Sequence, residues 1–382
     1  MRPIEELASN SGPVAFRRID VVRVRIPMLE PFRISSGEVS QKEALIVRIS
    51  DGDSFGWGES SAMAGSFYST DTPDTCQREL IDQLVPGIVG REFKHMAALE
   101  EYLKSAVDSP FVRVAVETAA WELLARREQK SLGELFGAQA RPVPSGLALG
   151  LYDSEKQLRD AVERYRPRQY KRLKIKIKRG NDIALVRRVR EWLGDFPLFV
   201  DANADYGPED LSVFHDLDQF GLLMFEQPFG RNDLETSAEL QRCVRTPVCL
   251  DESVECVQDA RRAIALGSCR IVNIKLQRVG GYTEALRIVE ECAAHGIAVW
   301  MGTMPELGVG SAQAMALASD PLFSYPTDVE PSCRWYANDV LRPQLSLNQT
   351  GCLDLPEGPG LGFEVDPAKL ECFAVAQWSF RE

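Results

Sequence analysis

Histidine is scarce in this chain of 382 residues: three in all, His95, His215 and His295, each in a helix-like stretch. A serine-hydrolase triad or a three-histidine zinc site would use up most of that supply, so histidine-based chemistry is set aside. The nine cysteines are an odd number with no C-x-x-C pair, which speaks against a zinc ribbon and a disulfide framework. They read as reduced thiols, most of them buried. Basic charge is in deficit, with 44 Lys and Arg against 56 Asp and Glu for a net charge of −12, whereas nucleic-acid binders gather Lys and Arg on one face. Long apolar runs are missing as well: nowhere do roughly 18 apolar residues follow one another. The opening stretch MRPIEELASNSGPV lacks the apolar core of a signal peptide. The expectation is a soluble cytoplasmic protein that engages neither nucleic acid nor a membrane.

What is present is a globular composition, 45% hydrophobic and 26% charged, with length for two domains at about 100–200 residues each. Residues 15 to about 60 alternate apolar and polar side chains, as in IDVVRVRIPM and EALIVRIS, and end in the Gly-Trp-Gly of 56–58. That period of two predicts antiparallel strands with one buried face. From about 72 to 137 the period turns helical, with Val114, Val116, Ala119, Leu123 and Leu124 able to share a face. Strands followed by helices without alternation predict a small α+β domain. After Pro144 short apolar strands alternate with amphipathic helices: 145–150, 172–177, 197–202, 222–228, 247–253, 271–276, 297–302 and 323–329. Eight such strands in about 185 residues predict a closed (β/α) barrel, with a doubly wound open sheet as the alternative.

Parallel strands buried on both faces are expected to be apolar, yet charges recur near the C-terminal ends of five in succession. They are Lys176, Asp201, Glu226, Asp251 and Lys275, spaced by 25, 25, 25 and 24 residues. In a barrel those ends converge on one mouth, where active sites form. Helix N-capping could explain any one Asp, but not two lysines, nor Glu226 between Phe225 and Gln227. Three carboxylates without histidine or thiolate make a hard all-oxygen site, suited to Mg²⁺ or Mn²⁺, with Asp201, Glu226 and Asp251 as ligands. Strand parity puts Lys174 and Lys176 on one face, toward the barrel interior; the alternative for Lys174 is a snorkelling surface side chain. Burial beside a like charge and a cation disfavours an ammonium, so a lysine placed as Lys176 is can act as a general base. Lys275, on the other side of the metal, is placed to be a second acid–base group or a stabilising cation.

These residues resemble the enolase superfamily. The matching motifs are Lys-x-Lys at 174–176, Asp-Ala-Asn at 201–203, Glu-Gln-Pro at 226–228, Asp-Glu-Ser at 251–253 and Asn-Ile-Lys at 273–275, followed by Arg-Val-Gly-Gly at 278–281. Within the superfamily they look like the muconate-lactonizing subgroup. GWGESSAMAGSFYS (56–69), YKRLKIKIKRG (170–180), RTPVCLDES (245–253) and GPGLGFEVD (358–366) are closest to its o-succinylbenzoate synthase and N-acylamino acid racemase branch. The likeness runs from about residue 15 to 372. It implies a (β/α)7β modified TIM barrel over 141–344 under an N-terminal α+β capping domain over 1–140, completed by residues from about 345 to 382. It implies Mg²⁺ on the three carboxylates, a small carboxylate substrate with Lys176 and Lys275 on opposite faces of its acidic carbon, and a homo-oligomer. Glu252 is then a group near the metal and Lys275, and Asn203 lines the same pocket. Segments 31–37, with Ser36, and 60–69, with Tyr68, become cap loops closing over the substrate.

Three places depart from the branch. Gly302-Thr303-Met304-Pro305-Glu306-Leu307-Gly308 stands where relatives carry Gly-Gly-Met-x-Glu-Thr-Gly, Leu276-Gln277 follows Lys275 in place of Pro-Gly, and the eighth strand reads Thr327-Asp328-Val329-Glu330. All fall near the barrel mouth, where Met304, Glu306 and Asp328 would meet substrate groups beyond the carboxylate. The missing Asp-x-Asp at 328–330 speaks against a dipeptide epimerase. Dehydration to o-succinylbenzoate and racemisation both fit two lysines; a muconate-type cycloisomerase, another racemase or dehydratase of the subgroup, or a scaffold without catalysis are the alternatives.

Overall fold

A computed structural model describes residues 2–34, 37–65, 69–138 and 141–382. Strands β1 (Arg18–Ile34), β2 (Gly37–Ser50) and β3 (Phe55–Ser60) form an antiparallel meander, and Ile19, Val21, Val24 and Ile26 of β1 turn into the core. The helix Pro110–Arg127 lies against this sheet and is buried from Phe111 to Ala125 except at Arg113. It is a central helix rather than a one-faced one. The helical run does not continue to 137: it stops at Arg127, Gln129 takes φ 53°, and a short helix Leu132–Phe136 restarts on a Ser131/Glu134 capping box.

Gly-Trp-Gly is a close-approach device. A Cβ on Gly56 or Gly58 would run into the carbonyl oxygens of Ala119 and Ala115 on that helix. Gly58→Ala is therefore expected to destabilise the fold by about 1–3 kcal/mol, the usual cost of overpacking. A lower urea midpoint at unchanged slope is the measurement that checks it.

The second half supplies seven parallel strands, β4 (Leu147–Leu149), β5 (Leu173–Lys176), β6 (Leu198–Asp201), β7 (Phe225–Glu226), β8 (Val248–Leu250), β9 (Ile271–Ile274) and β10 (Ala298–Met301). They neighbour one another in sequence order, with helices such as Glu155–Tyr165 and Ile183–Leu193 between them. The eighth expected strand, 323–329, forms no ladder. It makes single bridges to both sheet edges, Val299↔Phe323 and Ser145↔Thr327, supported by Thr327 N to Pro144 O at 2.8 Å and Asp328 N to Met301 O at 2.9 Å. Pro326, lacking an N–H, cannot extend that pairing. The segment closes β10 onto β4, and the architecture is the modified (β/α)7β barrel under an α+β cap.

Near the C-terminus β11 (Ala374–Arg381) pairs antiparallel with β1 and adds a fourth strand to the cap sheet. Two buried cap carboxylates join cap to barrel. Glu59 accepts Leu307 N and Gly310 N, each at 2.7 Å, and Glu117 accepts Tyr282 N and Thr283 N, each at 2.9 Å. Those amides open the helices Gly308–Ala318 and Tyr282–Ala294, where unpaired N–H groups favour an anion. The cap is thereby fixed over the C-terminal ends of the barrel strands.

Candidate active site

Strand parity builds the site in two layers. The deeper layer is an apolar cluster inside the barrel, Phe199, Met224, Cys249, Ile271 and Trp300. Two residues further along each of those strands, on the same face, stand Asp201, Glu226, Asp251, Asn273 and Gly302. Gly302 is required there, because a Cβ would strike the Asn273 amide. On β5 the same rule aligns Arg172, Lys174 and Lys176. The guanidinium of Arg172 is wholly buried and lies 4.7 Å from the Phe199 ring centroid.

The five strand-end charges do meet, together with Lys174. Lys176 Nζ donates to Asp201 Oδ2 at 2.5 Å, and Lys275 Nζ to Asp251 Oδ2 at 2.8 Å. Lys174 Nζ lies 2.8 Å from Asp201 Oδ2, 2.7 Å from Glu226 Oε2 and 3.1 Å from Asp328 Oδ2. Asp251 Oδ1 also takes a short contact from Arg278, and Glu226 Oε1 accepts Asn273 Nδ2 at 2.8 Å. Gln227, at φ 38°, accepts Asp251 N at 2.9 Å and Ser253 N at 3.2 Å and donates to Ser253 Oγ at 2.8 Å. This residue ties Glu-Gln-Pro to Asp-Glu-Ser, and its strained backbone is of the kind found where a site is held in place.

Electrostatics divide the groups. Burial opposes the Lys174 ammonium, but Asp201, Asp328 and Glu226 outweigh it and hold its pKa well above the usual lysine value. Lys174 thus stays an ammonium. Burial also works against ionised Asp201 and Asp251, yet Lys174 and Lys176 pull the first down and Lys275 and Arg278 the second. Burial, reinforced by Asp201, pushes Glu226 up; burial and Asp251 do the same to Glu252.

The donor set suits a hard divalent cation. Among the described residues no three side chains of His, Cys, Asp or Glu converge on one point as they stand, because the lysines lie among the carboxylates. Still, Glu226 Oε2 and Glu252 Oε2 are buried without a hydrogen bond, and all the acidic donors are oxygens, the preference of Mg²⁺ and Mn²⁺. Asp201, Glu226 and Asp251 are the residues that would hold the ion.

Above them is a cavity lined by Lys174, Lys176, Lys275, Asn203, Met304 and Asp328 from the barrel, with Phe32 and Met63 of the cap opposite. Ala148, Thr303, Pro305 and Trp335 complete the wall, and the Phe32 ring meets Trp335 edge-on at 5.2 Å. Both lysines proposed for acid–base work reach this one space. Glu252 accepts Asn203 Nδ2 at 3.2 Å at its side. Glu306 is not brought to the cavity; it is buried next door, with Ser311, Tyr336 and Asp339. Ser36 and Tyr68 lie outside the described residues. Gln277, one of the departures, donates to Glu59 O at 2.8 Å and accepts Ser61 N at 2.8 Å, so it braces the cap. Sequence reasoning passed over Arg172, Asn273, Gln227 and Arg278 as site members, although parity already aligned Arg172 with the two lysines.

Comparison with known proteins follows the same lines. Residues 17–137 match the mandelate racemase / muconate lactonizing enzyme N-terminal domain, and residues 156–369 match the enolase C-terminal domain-like family. An N-succinylamino acid racemase of Amycolatopsis is 40% identical over 360 residues, 94% of this chain and 97% of that protein. An o-succinylbenzoate synthase of Bacillus subtilis is 37% identical over 354 residues, 92% of this chain and 95% of that one. The crystal structure of an enolase superfamily member from Listeria innocua superposes with a TM-score of 0.90 at 34% identity, covering 96% of this chain and 99% of the other. The chain belongs to the enolase superfamily, in the branch of its o-succinylbenzoate synthases and N-succinylamino acid racemases.

Proposed function

We propose that this enzyme removes the proton alpha to a substrate carboxylate, with Mg²⁺, or Mn²⁺ in its place, held by Asp201, Glu226 and Asp251. The reaction is dehydration to o-succinylbenzoate, racemisation of N-succinylamino acids, or both. The observation that carries the reading is that Lys176 and Lys275 line one cavity, each drawn to a different carboxylate. The activities for which the Amycolatopsis and Bacillus relatives are named support it.

A cation on the carboxylates supplies fixed positive charge where the substrate's own carboxylate gathers charge as its α-proton leaves. Lys176 turns from Asp201 and takes that proton as an amine on one face. In racemisation Lys275, as an ammonium, gives a proton to the opposite face. In syn dehydration one lysine suffices: the proton it took goes to the departing hydroxyl, and the second lysine stays as a cation. Phe32 and Met63 cover the cavity and keep bulk water from the reacting carbon.

Incubation in D₂O separates the outcomes. N-succinylamino acids that exchange the α-proton for deuterium and lose optical activity identify a racemase; the hydroxy-acid precursor that loses water to give o-succinylbenzoate identifies the synthase. No exchange and no water loss with any of these acids overturns the proposal.

A further inference from the structure

Lys174 and a divalent cation would compete for the same oxygens, since its ammonium already lies against Asp201 and Glu226. A cation bound there needs that ammonium drawn aside, and the side chain is buried, 3% exposed, so bulk water gives it little compensation. We propose that Asp328, fixed by Arg172, is the positioning residue that takes up the Lys174 ammonium and so sets the affinity of Asp201, Glu226 and Asp251 for a divalent cation. The inference rests on the reading of those carboxylates as metal ligands.

Three observations support it. Lys174 already donates a hydrogen bond to Asp328 Oδ2 at 3.1 Å, so the carboxylate that would receive the ammonium is already within its reach. Second, Asp328 is held where it is. Its Oδ1 takes a short contact from Arg172 Nη2, and its amide donates to Met301 O at 2.9 Å. Third, Arg172 cannot follow a moving partner. Its guanidinium also donates to Thr327 O at 2.9 Å and to Leu147 O at 3.3 Å, stacks on Phe199, and fills the space that the missing Cβ of Gly146 leaves. Asp328 is therefore a fixed anion at the edge of the cluster, and the flexible four-carbon stem of Lys174 is the part that can shift.

Neutralising the anchor leaves the ammonium no carboxylate partner except the ligands themselves. On the full-length protein, Mn²⁺ binding followed by electron paramagnetic resonance is expected to weaken at least tenfold in Asp328→Asn. It is expected to tighten at least threefold in Lys174→Met, which removes the competitor. The double variant should bind Mn²⁺ as Lys174→Met does, because Asp328 acts only through the lysine. An equal loss from Asp328→Asn with and without Lys174 would mean that Asp328 contributes only bulk negative charge, and it would overturn the proposal, as would no loss at all. Should Asp328→Asn fail to fold by circular dichroism, Lys174→Met alone decides: unchanged or weaker binding refutes the competition. Failure of the unaltered protein to bind Mn²⁺ is a different outcome, which removes the metal reading itself along with this inference.

Discussion

Replacing Lys176 with alanine is expected to lower turnover about 10²–10⁴-fold, the range that a positioned general base contributes. The loss should appear in both the chemical conversion and, for a substrate whose α-proton faces Lys176, the exchange seen by NMR in D₂O, because both need that proton taken from that face. Lys275→Ala separates the two candidate reactions. Racemisation uses both faces, so it should fall as far as it does in Lys176→Ala. Dehydration uses one lysine for proton transfer, so the variant that loses only a cation should retain more activity. The fold is expected to tolerate either change. Asp201 keeps Lys174 and the Asn203 amide at 2.9 Å, and Asp251 keeps Arg278, so neither carboxylate is left buried without a partner. Unaltered circular dichroism is the control, and full turnover in either variant would remove that lysine from the mechanism.

What the sequence made legible follows from periodicity. An inward charge on a buried strand is anomalous wherever it occurs, and five at a near-constant interval place one mouth and one site without any knowledge of contacts. The strand count was legible for the same reason. Strand length was not: β7 shrinks to Phe225–Glu226 and the eighth segment to single bridges, because a ladder depends on its neighbours' register and on a proline's missing donor. The least legible features pair distant residues. Arg172 and Asp328 stand 156 positions apart, and Glu59 reads in isolation as the polar side of a strand, although it caps a helix 248 residues onward. Parity gave the direction of each side chain; it could not name what waits there.

Stripping divalent cations with EDTA is expected to cut turnover at least about 10³-fold, with Mg²⁺ or Mn²⁺ restoring it. The size of the effect comes from the charges already in place. As the α-proton leaves, negative charge gathers on the substrate carboxylate beside Asp201, Glu226 and Asp251, all buried. Two unit charges 4 Å apart at an effective dielectric constant of about 20 repel by about 4 kcal/mol, close to three decades in rate at about 1.36 kcal/mol per decade. The lysines offset that repulsion only in part, through the one that stays an ammonium. Lys174 is committed to Asp201, Glu226 and Asp328, and a lysine acting as base is uncharged at the moment it takes the proton. Glu226→Gln should give part of the same loss with metal present, through weaker binding, and excess Mn²⁺ should recover some of it. Protein shown by elemental analysis to be free of metal, yet turning over at the original rate, would refute the metal reading and leave the assignment of the two lysines to be judged by their own variants.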